Sequence, residues 1–243
     1  MSKKMSLFTM LIVLLVGVEF AFAGAKIMRF SGEVKIRRGV EESWQPASIG
    51  ILLEDIDTIL TGDNGIVVLQ ISEGINFELG NNSILDVSDL RKISEKELFL
   101  YLMSQKVKNI EPREGKTKLR IGNVSVVHGE SKAESKNSSG NERQPEFLVQ
   151  ETNGARALYD QKFYPNTVVK LYKILNKYNS IQDKGEINLY LGKSFEALNH
   201  PGQAIDAYQI VIDSYQGQNQ IRADEQKWID EAQQAIERLK SKK

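Results

Sequence analysis

Asp57-Thr58-Ile59-Leu60-Thr61-Gly62, then Ile66-Val67-Val68-Leu69-Gln70-Ile71, Ser72-Glu73-Gly74 and Ile75-Asn76-Phe77-Glu78-Leu79, is a series of short apolar runs separated by turns. Apolar residues at every second position place Ile75, Phe77 and Leu79 on one sheet face, with Asn76 and Glu78 on the other. Gly62, Gly65, Gly74 and Gly80 stand where the chain must reverse, positions suited to a residue that takes positive φ freely. Outward from this core, a Gly32-Glu33-Val34 run precedes it, and Gly80-Asn81-Asn82-Ser83 leads into Ile84-Leu85-Asp86-Val87. Short, evenly spaced runs of this kind predict a compact all-β module.

Toward the amino end the pattern is that of an export signal. Lys3 and Lys4 precede a twelve-residue apolar core, Leu7 to Val18, and Ala21-Phe22-Ala23 offers small residues at a cleavage site. The core is shorter than the roughly 20 residues that span a bilayer, and Glu19 interrupts it. Residues 1–23 therefore read as a cleaved signal peptide, with no stable membrane span after cleavage. The expected location is periplasmic or secreted. The chain has no cysteine, which excludes lipidation after the signal, disulfides, thiolate chemistry and cysteine metal ligands. Charge is balanced at 32 basic and 32 acidic residues, and removal of Lys3, Lys4 and Glu19 with the signal leaves the rest near −1. No clustered basic excess suggests nucleic acid.

Toward the carboxyl end the composition changes. Residues 129–145 are polar with one alanine, a disordered linker by composition. Before it, Leu98 to Met103 and Lys118 to Val127 read as further strands, giving a β domain over 24–128. After it, over 146–243, the period becomes helical. Phe147 to Tyr178 and Glu186 to Tyr215 each read as a helix-turn-helix, and an offset of 36 overlays Tyr159 on Phe195, Val168 on Ala204, Tyr172 on Tyr208 and Leu175 on Val211. Asp224 to Leu239 reads as a terminal capping helix.

Gly32, Val34, Arg38 and Gly39, then Trp44 and Ala47, then Asp57, Ile59, Thr61 and Gly62, then Gly74, Asn82, Ser83 and Leu85, follow an order that resembles the FecR domain, a periplasmic sensory family. The resemblance covers about residues 30–90. Ile56 and Glu73 depart from the family pattern. It implies a β fold, sandwich or solenoid-like, and a protein-binding role. The family's link to sigma-factor control is not expected to carry over, since six residues precede Leu7 in this sequence. The second helix pair resembles a tetratricopeptide repeat through Leu191-Gly192, Phe195, Asn199-His200-Pro201-Gly202, Ala204 and Tyr208. The first pair resembles it in its aromatic positions only. The fold expected is thus multidomain, all-β followed by all-α.

No catalytic, cofactor or metal residue is assigned. His128 and His200 lie in separate regions, and no Gly-x-Ser-x-Gly elbow, phosphate loop or His-Glu-x-x-His occurs. Asp55, Asp57, Asp63 and Glu73 are oxygen donors that read better as turn residues, as do Thr61, Asn82 and Ser83. Helical packing accounts for Tyr159, Tyr172 and Tyr178. Phe163 and Tyr164 precede Pro165 in a loop, and with Lys170 and Lys173 on a basic edge that includes Lys162 and Lys177 they are the candidate protein contacts. The resulting expectation is a non-enzymatic scaffold or adaptor with a protein or peptide partner in the envelope. The alternative is a module that binds peptidoglycan and recruits a protein, although Trp44 and Phe77 are expected to be buried.

Overall fold

The computed structural model describes residues 24–71, 74–108, 147–178, 184–218 and 220–241. The signal at 1–23, the expected strand at 118–127 and the linker at 129–145 lie outside the described residues. Eight strands come first: β1 (Ala25–Ser31), β2 (Val34–Arg37), β3 (Gln45–Pro46), β4 (Leu52–Leu53), β5 (Thr58–Thr61), β6 (Ile66–Ile71), β7 (Asn76–Leu79) and β8 (Ser83–Asp86). They form two antiparallel sheets, ordered β4-β1-β6-β7 and β3-β2-β5-β8. A short 3₁₀ turn, Val87–Leu90, follows. Six helices complete the described residues: α1 (Glu95–Lys108), α2 (Leu148–Asp160), α3 (Tyr164–Lys177), α4 (Gly185–Ala197), α5 (Pro201–Tyr215) and α6 (Ala223–Ser241).

Both sheets share one core of Ile27, Ile36, Leu53, Ile59, Leu69, Phe77, Leu79 and Leu85, each almost fully buried. Period-two alternation holds along β6 and β7, where Phe77 and Leu79 point inward and Asn76 and Glu78 outward. Ile75 departs from that expectation. It precedes the strand and is 47% exposed. The turn glycines divide: Gly62 and Gly65 allow a close approach, Gly74 supplies positive φ, and Gly80 shows neither. Gly74 has φ +74°, but Gly65 does not need a positive φ; a Cβ on it would lie 2.1 Å from the Glu33 carbonyl oxygen. Asp57 ties the loops together. Its carboxylate, 2% exposed, accepts from the Gly39 and Glu54 amides at 2.9 Å and from Arg38 at 2.6 Å. Thr61 Oγ1 donates to the Gly80 carbonyl and accepts the Ser83 amide, as a turn residue should.

The segment Leu98 to Met103 is helical, not a strand. Leu98, Leu102 and Gln105 are buried at i, i+4 and i+7, one helix face. Ser94 Oγ accepts the Glu97 amide at 3.2 Å, a serine cap with glutamate three residues on. The buried leucines of α1 join the helical core, so helical structure begins inside the expected β domain.

The helix pairs repeat, but with an offset of 37. Phe163 N–H donates to the Leu158 carbonyl as His200 N–H donates to Phe195, and Lys162 pairs with Tyr159 as Asn199 pairs with Glu196. Lys162 and Asn199 both have positive φ. In this register the buried residues Ala155, Leu171, Ile174 and Tyr178 match Gly192, Tyr208, Val211 and Tyr215. An offset of 36 matched aromatic with aromatic, yet Tyr172 is half-buried where Tyr208 is 1% exposed. Gly192 lets α5 approach closely, since a Cβ there would meet the Tyr208 ring at 2.5 Å.

The helices are not a separate body. Helix α2 lies across the free edges of both sheets. Leu158, fully buried, completes the β core, while Ala155 on the same helix belongs to the helical core. Gly154 sits on β8, where a Cβ would come within 2.1 Å of the Ile84 carbonyl oxygen. Gln161 closes the β7 edge: its Oε1 accepts the Glu78 amide at 2.8 Å and its Nε2 donates to the Glu78 carbonyl at 2.7 Å. That is the pairing a further strand would supply. In an isolated helix Gly→Ala gains about 1 kcal/mol. At this seam we expect Gly154→Ala instead to destabilise by about 1–3 kcal/mol, the usual range for overpacking. Urea unfolding followed by circular dichroism checks this, and a stabilised variant would mean that α2 is not seated as described.

Candidate functional site

Between the β3-β2-β5-β8 sheet and the helices the seam leaves a cleft of about 690 Å³. Arg37, Trp44, Thr58, Ile84 and Asp86 line it from the sheet. Tyr101 and Gln105 come from α1, Glu151 from α2, and Lys170, Lys173, Asn176 and Lys177 from α3. The lysines recur at i, i+3 and i+7 and so share one face of α3.

A chain of polar contacts crosses the seam. Arg37 Nη2 donates to Thr58 Oγ1 at 3.3 Å, and Thr58 donates to Asp86 Oδ1 at 3.0 Å. Lys170, its side chain 3% exposed, pairs with Asp86 at 3.2 Å and Asp89 at 2.8 Å. Lys173 reaches the other Asp89 oxygen at 2.7 Å. Lys177 and the Tyr178 hydroxyl both donate to Glu151 Oε1, at 2.6 and 3.2 Å. Asn166, in the first turn of α3, donates to the Asp89 and Arg91 carbonyls at 2.7 Å.

Burial works against the charge on Lys170, but the carboxylates of Asp89 and Asp86 outweigh it and hold the ammonium above its ordinary 10.5. Burial likewise opposes the charge on Asp86, yet Lys170, the Thr58 hydroxyl and Lys173 hold its carboxyl below the usual 3.8. The Tyr101 hydroxyl is raised, first by burial.

The sequence candidates divide. Phe163 packs on the β core and meets Phe77 edge-on, ring centroids 5.6 Å apart. Lys170 is buried in the ion pairs just described. Both make contacts that join the two units of this chain. Tyr164 is half-buried against the Tyr159 ring at 5.5 Å. Lys173 is 47% exposed at its side chain and lines the cleft. Trp44 is not buried as expected. It is half-exposed in the cleft wall, with the Arg37 guanidinium over its ring at 5.1 Å. No local pattern marks Arg37, Thr58, Asp86, Asp89 and Glu151 as site residues, because nothing in the sequence shows that residues 84 positions apart face one another.

A second, apolar hollow of about 560 Å³ lies between α1 and α3–α5, beside Phe99, Met103, Tyr172 and His200. Among the described residues, no group of three or more His, Asp or Glu is placed to hold a metal ion, and no helix is long and apolar enough to cross a membrane. No protein-family model matches the chain, and no curated protein or solved structure matches it either.

Lys170→Met would leave Asp86 and Asp89 facing each other without their shared cation. We expect a loss of about 3–5 kcal/mol, the range for removing one partner of a buried pair, read from urea unfolding. A neutral result would mean the pairs form only in part. The pH dependence has a sign. The folded state holds the Asp86 carboxylate better than the unfolded chain does, so its contribution is complete above about pH 4 and is lost as pH falls through the folded value. That of Lys170 is complete below 10.5 and is lost as pH rises through its raised value. The stability difference between wild type and Asp86→Asn should therefore shrink as the medium is taken below about pH 4. A difference constant from pH 3 to 7 would remove Asp86 from the acid response.

Proposed function

We propose that the chain is an exported, non-enzymatic FecR-domain protein with tetratricopeptide-like repeats, an adaptor that holds a protein or peptide partner in the bacterial envelope. The observation that carries this reading is the cleft lined by both units, since ligand sites occur preferentially where domains meet. At about 690 Å³ it is within the usual range for such sites. Residues that carry the FecR resemblance are mutual partners here, notably Arg38, Gly39 and Asp57, and Thr61 with Ser83. Gly192 against Tyr208, and the fully buried Ala204, support the repeat resemblance.

Peptidoglycan binding is the second reading, favoured by the half-exposed Trp44. A photo-crosslinking residue at Tyr101, in the cleft, and at the exposed Gln209 on α5 separates the two. In envelope extracts the proposal expects protein adducts from position 101 and none from 209. Adducts from neither position, together with sedimentation of the full chain with purified sacculi, would replace the adaptor by a glycan binder.

A further inference from the structure

Resting on the cleft as the binding site, we infer that its occupant is an acidic peptide segment, a side-chain or terminal carboxylate of which is taken up by Arg37. Arg37 is the cleft cation that has no carboxylate partner among the described residues. Lys170 is paired with Asp86 and Asp89, Lys173 with Asp89, and Lys177 with Glu151. These three lysines and three carboxylates balance, so the guanidinium supplies the surplus positive charge. Its Nη2 is engaged only with the neutral Thr58 hydroxyl, and its Nε is buried with no acceptor. The Trp44 ring backs it at 5.1 Å, which fixes a planar fork suited to a carboxylate.

The aromatic faces argue for peptide over sugar. Arg37 lies over one face of Trp44, which closes that face to sugar stacking, and Tyr101 meets Tyr172 with centroids 6.3 Å apart. Asn176 and Gln105, joined by one hydrogen bond at 3.0 Å, keep amide donors and acceptors suited to a peptide backbone. With 32 basic and 32 acidic residues in the chain, general electrostatic attraction of an acidic probe is not expected.

The test is fluorescence anisotropy of the full chain with a labelled hexapeptide of alternating glycine and glutamate, and with its glutamine counterpart. The glutamate peptide should bind at least about tenfold more tightly than the glutamine one and weaken with salt. Arg37→Gln should remove that preference. Lys35→Gln should keep it, because Lys35 lies two residues away on β2 and pairs with Glu33 at 2.6 Å. Equal binding of the two peptides, or equal behaviour of the two variants at matched thermal stability, overturns the inference. Crosslinking from Tyr101 that survives Arg37→Gln would leave the cleft reading standing and this one overturned. Sacculus binding lost in Arg37→Gln would assign the carboxylate to glycan and also overturn it.

Discussion

The structure depends on the seating of one helix across two sheet edges. Each sheet ends in a strand whose outer backbone groups would otherwise face solvent, β7 in one and β8 in the other. Such edges invite pairing with another chain. Helix α2 answers both at once. Gly154 removes the side chain that would hold the helix away from β8, Leu158 enters the β core one turn later, and Gln161 presents an amide to Glu78 just past the helix end. The spacing of 154, 158 and 161 is that of a single helix face. Because Ala155 faces the helical core, that helix belongs to both cores, and neither unit is complete without it.

The ion pairs beside it do a different job. A buried lysine between two carboxylates is weak evidence for net stability, since desolvation offsets much of the attraction. Its geometric demand is strong, however. Asp86 ends β8 and Asp89 lies in the 3₁₀ turn that follows, so the charges are fixed by the sheet. Only a helix in one register can bring Lys170 to both while Lys173 reaches Asp89 from the next turn. Apolar burial holds α2 in place, and charge complementarity sets how α3 lies against it. The cleft walls are consequently held in a defined relation.

Much of the fold was legible in local pattern. Phe77 and Leu79 alternate as a half-buried strand must, and the helix pairs start and stop near the expected residues. Failures arose where a signal had two causes. The apolar run Leu98-Phe99-Leu100 resembles a strand by composition, while Ser94 and Glu97 in front of it form the start signal of a helix. The repeat offset followed residue type, pairing Tyr172 with Tyr208, although burial pairs Leu171 with Tyr208. The candidate site was far less legible. Lys170 and Lys173 read as a basic helix edge in sequence, but the acids that neutralise them come from a strand end and a turn distant in sequence. Trp44 is expected to be buried and is not, and its guanidinium cover is a tertiary fact.

The position of the cleft joins binding to the docking of the units. Its sheet wall and its helical wall coincide only while α2 and α3 are seated, so the shape an occupant meets exists only in the docked state. An occupant that touches both walls must favour that state by the ratio of its affinities for the docked and undocked forms. The converse holds by the same linkage: whatever loosens the seam, whether acid titration of Asp86 or a side chain at Gly154, weakens binding without touching the occupant. Arg37 sits where this coupling is most direct. Through Thr58 and Asp86 it is three hydrogen bonds from Lys170, the side chain that fixes α3 to the sheet. A charge that arrives at the guanidinium therefore acts on the same polar chain that sets the register of the two units.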